Sequence, residues 1–306
     1  KVVSNTKIRA SYGEIGNQAV GSNMYISTVS KRTDGNTHWL NGSNKVVAYD
    51  LPSLVSPTLK WERIQTLDIG GDFGFFNNEL NISFDWYQRT TKDMLAPGQT
   101  MPDVLGAGAP KINAGTLRTR GWELSIDWRH HFNEVNVYAN ASIGDFKTVI
   151  TKWDNDSQLL NENYSGKVYG DIWGFETDRY FTKDDFNADG SYKEGIASQK
   201  KLEQDGFVYG PGDIKFKDLN NDKEINGGEG TVKDHGDLKV IGNTTPRYQY
   251  GFRLGGEWKG IDIDMFFQGV GKCDAWTQSA FVMPMMRGAD AIYANQANYW
   301  TDENPD

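Results

Sequence analysis

The sequence predicts an all-β protein, an antiparallel transmembrane β-barrel with long extracellular loops, and three observations support this prediction. Apolar and polar residues alternate with a period of two in several segments. The connections between these segments are alternately short and long. The composition agrees, because 34 Gly and 13% aromatic residues with only 9 Pro favour strands and turns over helices.

The overall composition excludes several other classes of protein. The mean hydropathy is −0.62, and no run of about 18 apolar residues could form a transmembrane helix. A membrane barrel needs apolar residues only at alternate positions, because its inner face is wet. The net charge of −9 argues against nucleic-acid binding through a basic surface. The single cysteine, Cys273, excludes an internal disulfide framework.

The clearest alternation predicts a hairpin of two strands at residues 66–87, with a turn at Phe76–Glu79. One of its faces is apolar at eight of nine positions, and the other at one of nine. The same pattern recurs at residues 122–143, with a turn around Arg129–Glu134, and at residues 247–268, with a turn at Lys259–Gly260. An earlier strand at Lys7–Tyr12 brings the total to about seven.

The connection lengths indicate which end of the strands faces the cell exterior. The long links run from Gly13 to Arg63, from Lys92 to Leu117 and from Phe146 to Thr245. All long links therefore leave from one end, as in outer-membrane barrels with short periplasmic turns and long outer loops. Aromatic residues near the strand ends are expected to form interfacial girdles: Phe73, Phe75, Trp86, Trp122, Trp128 and Trp258. A soluble barrel or jelly roll with aromatic core faces is the alternative.

The ends of the chain indicate a fragment of a longer protein. The segment Lys1–Ala10 has no apolar core of a signal peptide, and the chain stops abruptly within Asn304-Pro305-Asp306. We therefore expect residues 1–306 to be part of one barrel domain.

One loop matches the spacing of an EF-hand-type calcium site. Oxygen-bearing side chains recur through the twelve residues that start at Asp218, and the proposed ligands are Asp218, Asn220, Asp222, Glu224, Asn226 and Glu229. Lys223 departs from the pattern, because position 6 is normally glycine. The alternative is an acidic surface turn without an ion. A bound Ca²⁺ would be structural and would hold an extracellular loop.

Other candidate sites have simpler explanations. Asp185–Gly190 repeats the first half of such a loop, but Ile196 at position 12 cannot bind a metal, so a solvated turn is favoured. The histidines are scattered and lack a second zinc ligand at a fixed spacing: His38, His130, His131 and His235. A wet lumen explains the inward carboxylates better than a hydrolase pair does: Asp68, Asp72, Asp85 and Asp127. Four loop aromatics could stack on sugar rings: Trp39, Trp153, Trp173 and Tyr209.

Six blocks of the sequence resemble the SusC/RagA family of TonB-dependent outer-membrane transporters of the Bacteroidetes. They occur in the family's order and span nearly the whole chain, and together they are highly specific. The blocks are Lys7–Gln18, Leu59–Glu62 with Arg89–Asp93, Asn113–Thr116 with Arg120–Leu124, Pro211–Asn220, Ile241–Pro246, and Tyr299–Trp300 with Glu303–Asp306. The resemblance covers the C-terminal portion of the barrel, without the plug domain, the Ton box and the final strand.

The resemblance implies a 22-stranded, plugged barrel in the bacterial outer membrane. It implies active import of oligosaccharides, with oligopeptides as the second substrate class, and no enzymatic activity or organic cofactor. The implied partners are a SusD-like lipoprotein that forms a lid, TonB-ExbB-ExbD through the missing N-terminal part, and the lipid bilayer. A passive porin or adhesin barrel and a soluble glycan-binding module remain alternatives. No catalytic residue and no substrate-binding residue is assigned.

Overall fold

The computed structural model describes residues 2–17, 24–32, 40–41, 44–45, 47–98, 102–155, 157–277, 282–283, 292–301 and 303. It contains two compact units. The sheet unit comprises Lys1–Asp156, Asn163–Tyr169 and Arg247–Gly271, and the loop unit comprises Ser157–Glu162, Gly170–Pro246 and Lys272–Asp306. The expectations for Gln18, His38, Trp39 and residues 304–306 concern positions outside the described residues.

The sheet unit is built on one seven-stranded sheet whose strands follow one another in chain order. Each pairing with a described register is antiparallel. The strands are β1 (Val3–Asn17), β2 (Glu62–Phe75), β3 (Leu80–Pro97), β4 (Lys111–Phe132), β5 (Val135–Trp153), β6 (Arg247–Trp258) and β7 (Ile261–Lys272). This arrangement confirms the predicted all-β, antiparallel architecture and its seven strands.

Short turns join the strands within the hairpins. Phe76–Glu79 connects β2 to β3, as predicted. Lys259 and Gly260 both have positive φ, 48° and 80°, which is the backbone of a type I′ turn. The predicted turn at Arg129–Glu134 is wrong in extent, because β4 continues to Phe132 and only two residues turn the chain. The backbone of β4 remains paired up to Phe132, although apolar and polar residues no longer alternate after Trp128.

The register brings the apolar residues of successive strands side by side. One such row joins Ile8, Gly71, Phe84, Leu124 and Ile143, with Tyr250 on β6. We call this side of the sheet the apolar face; its other members include Ala10, Tyr12, Leu67, Ile69, Phe73, Ile82, Trp86, Trp122, Ile126, Ala141, Phe252 and Leu254.

The apolar face carries large exposed side chains. Ile8 is 78% exposed, Phe84 is 43% exposed and Ile263 on β7 is 61% exposed. The rings of Phe252 and Phe267 stack with centroids 4.8 Å apart, so the apolar residues of β7 continue this face. A contiguous exposed apolar surface of this kind requires an apolar partner. For a sheet with this pattern, that partner is lipid.

The opposite side of the sheet, the polar face, carries hydrogen-bonding residues in the same rows. Asp72, Ser83, Ser125 and Ser142 lie side by side on β2 to β5. Arg9, Asp85 and Glu123 belong to the next row, together with Gln249. In the segments where alternation was predicted, each strand thus has one apolar side and one polar side.

Two tryptophans mark one edge of the apolar face. Trp86 and Trp122 are register partners on β3 and β4. On β3 to β5 the next row on the same side is polar, with Gln88, Arg120 and Lys147, whereas on β1 and β2 the same row still carries Tyr12 and Leu67. The expectation that Trp86 and Trp122 lie near strand ends is therefore wrong, because β3 and β4 continue well beyond them. Their position at a boundary between apolar and polar rows is nevertheless that of an interfacial girdle.

Glycines allow aromatic rings to lie flat across neighbouring strands on the polar side. A Cβ on Gly121 would lie 2.5 Å from the phenol ring of Tyr87, and one on Gly255 would lie 2.1 Å from that of Tyr138. Such a ring covers the backbone that glycine leaves bare, as in the aromatic rescue of glycine. These close approaches explain part of the high glycine content.

The predicted long connection from Phe146 to Thr245 is not a bare loop. Strand β5 runs to Trp153, and the loop unit that follows has its own paired strands: Asp171–Phe175 with Leu238–Asn243, and Thr177–Tyr180 with Ile214–Phe216. Phe181 and Ile225 are fully buried with Gln199 and Asp237. The longest loop is therefore a small folded unit with a core.

The remaining elements are short. Lys31–Arg32 pairs with Ala48–Tyr49, and Leu40–Asn41 pairs with Asn44–Lys45. Among the described residues, 3-10 turns occur at Asp103–Leu105, Lys183–Asp185, Lys200–Leu202 and Ala294–Gln296. In the described part of the chain, no helix has the length and apolar character needed to cross a membrane.

Candidate functional site

The polar face contains an ion network centred on Arg9. The guanidinium donates from Nε to Asp72 Oδ2 at 2.9 Å and from Nη2 to Asp85 Oδ2 at 3.0 Å. Ser83 Oγ donates to Asp72 Oδ1 at 2.7 Å. A Cβ on Gly70, the register partner of Arg9, would lie 1.9 Å from Asp85 Oδ1, so glycine gives the carboxylate room to reach Arg9. Arg9 thus connects β1 with β2 and β3.

Beside this network the polar face has a shallow cavity of about 400 Å³. Its polar lining residues are Ser83, Asp85, Tyr87, Glu123, Ser125, Ser142, Asp145 and Gln249. Asp85 Oδ1 lies 2.9 Å from Arg9 Nη1 but lacks a partner with hydrogen-bond geometry. The cavity therefore offers hydroxyl, amide and carboxylate groups to a polar ligand.

The four carboxylates predicted to face a wet lumen all lie on the polar face: Asp68, Asp72, Asp85 and Asp127. Asp72 and Asp85 share Arg9, and Asp127 accepts a hydrogen bond from Asn140. One guanidinium therefore engages both carboxylates. This arrangement suits a polar channel wall better than the catalytic pair of a hydrolase.

In the loop unit, Asp185 is buried and bound to Arg179. The two guanidinium Nη atoms donate to the two carboxylate oxygens at 2.7 and 2.6 Å, and the backbone N–H of Thr182 donates at 2.8 Å. The guanidinium, followed by the Thr182 N–H, holds the pKa of Asp185 well below its usual range, against the effect of burial. The expectation of a solvated turn is wrong for Asp185, because its carboxylate is occupied inside the unit.

The exposed remainder of that segment does form a turn. Asp189 Oδ1 accepts from the backbone N–H of Ser191 at 2.9 Å, and Gly190 has a φ of 80°. Because Asp185 points to Arg179 and Asp189 to Ser191, the two carboxylates serve separate contacts. The turn therefore has the local side-chain to backbone bonding that is typical of Asp and Ser in loops.

A second ion cluster joins three parts of the loop unit. Glu176 accepts hydrogen bonds from Lys217 Nζ, at 2.8 Å, and from Lys239 Nζ. These two ammonium groups lower the pKa of Glu176 to about 2. The carboxylate is therefore ionised at every pH that the cell surface meets, and the cluster is structural.

The first half of the predicted calcium loop has a defined conformation. The Asp218 carboxylate accepts from the backbone N–H of Asn221 at 2.6 Å and of Lys223 at 2.9 Å. Lys223 has a φ of 68°, so it adopts the left-handed conformation for which EF-hand loops normally use glycine. Asp222 accepts from the backbone N–H of Glu224 and from Asn220, and these bonds lower its pKa.

In the second half of the loop, the predicted ligands Glu224 and Asn226 bind other partners. Glu224 Oε2 lies 2.6 Å from Lys201 Nζ, and Asn226 Oδ1 accepts from the backbone N–H of Gly228 at 2.8 Å. The buried Asp237 holds the loop by accepting from the N–H groups of Leu219 and Asn226. Within the described residues, no three His, Cys, Asp or Glu side chains are placed to hold a metal. Calcium binding stays a prediction.

Two of the predicted loop aromatics are engaged within the loop unit. The Trp173 ring lies 5.5 Å from the His235 ring, and Tyr209 packs against Phe181 and Phe207. Trp153 covers Gly115 at the end of β5. Other aromatics outside the sheet are more exposed and include Tyr169, Tyr180 and Phe207, at 60, 46 and 48%. The sequence did not distinguish them, because exposure depends on how the loop folds.

The described histidines have separate partners. His130 Nδ1 lies 2.6 Å from Glu79 Oε2 at the turn end of β4, and His131 Nδ1 lies 2.6 Å from Asn136 Oδ1. His235 belongs to the loop unit. The ion networks of Arg9 and Glu176 were not predicted, since their members come from distant sequence positions. The pair of Arg179 with Asp185 was not predicted either, although the two residues are close in the sequence. The sequence contained a hint only for the Arg9 network, because the alternation placed Arg9 and Asp72 on the polar sides of their strands.

These features define a class of protein. A sheet that is apolar on one face, polar on the other, bounded by tryptophans and connected by long folded loops is the wall of an outer-membrane β-barrel. The family described as "TonB dependent receptor-like, beta-barrel" matches residues 1–305, and the chain belongs to this family. It is therefore an outer-membrane barrel protein.

Curated relatives are similar along most of the chain. TonB-dependent receptor P3 of Formosa agariphila is 27% identical, over 99% of this chain and 29% of its own length. TonB-dependent receptor SusC of Bacteroides thetaiotaomicron is 26% identical, over 81% of this chain and 24% of its own length. The resemblance to the SusC/RagA family is thus confirmed. The chain spans less than a third of these relatives.

A solved structure shows the same fold. The structure of the RagAB peptide transporter superposes with a TM-score of 0.63 at 22% sequence identity, over 87% of this chain and 26% of that one. At this identity the match supports the barrel architecture and the strand order. It does not assign a ligand.

The Arg179–Asp185 pair gives a test of the loop unit. In the full-length protein, Arg179→Ala leaves a buried carboxylate without its main partner, which costs about 1–3 kcal/mol. We expect faster chymotrypsin cleavage in residues 181–192 at pH 7, while Lys193→Ala at an exposed position behaves like the wild type.

The pH dependence of this effect has a definite sign. Because the folded pKa of Asp185 is depressed, its contribution is complete above its ordinary pKa of 3.8 and is lost as the pH falls through the folded value. The difference between wild type and Arg179→Ala should thus be constant above pH 5 and shrink below 3.8. A difference that grows on acidification would contradict the assignment.

Proposed function

We propose that the full-length protein imports nutrients across the outer membrane, energised through TonB. Membership of the TonB-dependent receptor family supports this proposal. The observation that carries it is the pairing of an apolar face with a polar face rich in hydrogen-bonding groups. Transport of a polar solute needs both, because the wall must contact lipid outside and water or solute inside.

Oligosaccharides are the proposed first substrate class. The cavity on the polar face offers neutral hydroxyl and amide groups from Ser83, Ser125, Ser142 and Gln249, which match sugar hydroxyls. Exposed loop aromatics such as Tyr180 and Phe207 can stack on sugar rings. Oligopeptides are the second class, since the same groups bind amides and a similar solved structure is a peptide transporter.

A SusD-like lipoprotein is the proposed partner at the cell surface, and TonB-ExbB-ExbD would act through the part of the protein that precedes this chain. Similarity to SusC supports both partners. The family consists of receptors and transporters. On the polar face, Asp72 and Asp85 form ion pairs with Arg9 and do not form a free catalytic pair. We therefore propose transport without enzymatic activity.

Uptake measurements test the proposed import. Cells with the full-length protein should take up labelled oligosaccharides, and an uncoupler should abolish this uptake because energised import needs the proton-motive force. A deletion strain provides the background, and a small solute that diffuses through porins provides the control. Uptake that survives the uncoupler would identify a passive channel. Energised uptake of peptides alone would assign the second substrate class.

We also propose that the loop Asp218–Glu229 binds Ca²⁺ as a structural ion. Its support is the ordered first half of the loop. There Asp218 accepts from the backbone N–H groups of Asn221 and Lys223, Asn220 accepts from that of Asp222, and Lys223 has a left-handed backbone conformation. Binding would require Glu224 to leave Lys201 and the second half to close on the ion. The affinity expected for such extracellular loops is a Kd of about 10⁻⁴–10⁻³ M.

Equilibrium dialysis of ⁴⁵Ca²⁺ against the full-length protein in detergent tests this site. We expect one ion to be lost on Asp222→Ala, with no loss on Asp189→Ala in the neighbouring turn. Binding by the wild type is measured first, so a variant that misfolds does not decide the result. Absence of bound Ca²⁺ in the wild type at 10 mM would contradict the proposal.

A further inference from the structure

Four cations lie together on the apolar side of the sheet, just beyond the tryptophan girdle. The basic patch consists of Lys92 on β3, Arg118 and Arg120 on β4, and Lys147 on β5. Residues two apart on a strand share a face, and so do register partners. The alternation from Trp122 to Arg120 and Arg118 is uninterrupted, and Arg120 pairs with Lys147 in register. The patch therefore continues the lipid-facing side.

The register places these cations close to one another. Arg118 and Arg120 are about 7 Å apart along β4, and Lys147 lies across from Arg120 at the usual Cα separation of about 5 Å. Like charges directly opposite on a sheet are unfavourable. A bound anion would remove this repulsion.

The basic patch has no acidic partner within the described residues. Arg120 Nε donates to the neutral Gln88 at 2.7 Å, which leaves its Nη groups available. The nearby carboxylates bind other cations. Asp145 accepts from Nε and Nη2 of Arg247, and Asp93 and Glu14 pair with Arg63, the register partner of Lys92. Arg120 and Lys147 are exposed, so the patch presents net positive charge to its surroundings.

The height of the basic patch corresponds to lipid headgroups. Its first row lies two residues beyond Trp86 and Trp122, about 7 Å along the strands or about 5 Å along the membrane normal for a tilt near 40°. It lies on the long-loop side of the girdle, which is the outer leaflet. That leaflet consists of lipopolysaccharide, a glycolipid whose lipid A part carries phosphate. Guanidinium groups bind phosphate with two parallel hydrogen bonds.

We propose that Lys92, Arg118, Arg120 and Lys147 form a binding site for the phosphorylated headgroup of an outer-leaflet glycolipid. The guanidinium groups hold the phosphate, and the neighbouring Trp86, Trp122 and Phe84 contact its acyl chains. The site fixes the height of the barrel in the bilayer. It is separate from the polar face and from any imported solute.

Lipid binding by the full-length protein tests this site. The protein is delipidated in detergent and incubated with purified lipid A, with dephosphorylated lipid A or with inorganic phosphate, and bound molecules are counted by native mass spectrometry. The triple variant Arg118→Gln, Arg120→Gln, Lys147→Gln should retain lipid A on the order of tenfold more weakly than the wild type, since each cation near an anionic surface contributes.

Matched controls make the result specific. Lys193→Gln, Lys200→Gln and Lys233→Gln remove the same charge from exposed positions of the loop unit and should leave lipid A binding unchanged. Heat-modifiable migration on gels verifies that every variant is a folded barrel. Dephosphorylated lipid A should bind wild type and triple variant equally.

Three results would overturn the proposal. One is equal retention of lipid A by the wild type and the folded triple variant. Another is an equal loss of lipid A binding in the loop-unit control variant, because the effect would then come from the net charge of the protein. The third is competition by inorganic phosphate alone at low millimolar concentration, because the site would then recognise a free anion and not a lipid. If the triple variant does not fold, the salt dependence of lipid A binding by the wild type decides, and its absence contradicts the proposal.

Discussion

Every backbone N–H and C=O group inside the apolar part of a bilayer has to be paired within the protein, and the rest of this structure depends on that constraint. The seven strands pair with one another in chain order from β1 to β7, and each pairing with a described register is antiparallel. Pairing of this kind fixes the register, and the register aligns Ile8, Phe84, Leu124 and Ile143 into one lipid-facing surface. The opposite face is then free to be polar.

The three functional surfaces follow from that division. The polar face carries the Arg9 network and the cavity beside Asp85, where a polar solute can bind. On β3 and β4 the apolar face ends at Trp86 and Trp122, and the basic patch begins one row further out. The loop unit is stabilised by its own core around Phe181 and by the ion pair of Arg179 with Asp185.

The sequence predicted the strands where one side meets lipid, because only there do residue types alternate. From Gln88 to Asp93 both sides of β3 are polar, so the alternation stops while the strand continues to Pro97, and its end was predicted too early. Asp185 looked like a turn residue, since Arg179, which buries its charge, is recognisable only in the folded unit. The spacing of oxygen-bearing residues after Asp218 predicted an ordered loop. It could not predict that Glu224 forms an ion pair with Lys201.

The most direct measurement is a spin-label accessibility scan along β3 in the full-length protein, reconstituted in bilayers, with Cys273→Ala as the background. Labels at positions 82, 84 and 86 should be accessible to oxygen and shielded from a water-soluble nickel complex. Labels at 81, 83 and 85 should show the reverse, so the two accessibilities oscillate out of phase with a period of two. Uniform accessibility to the nickel complex, or burial of positions 82–86 from both reagents, would contradict contact of this face with lipid.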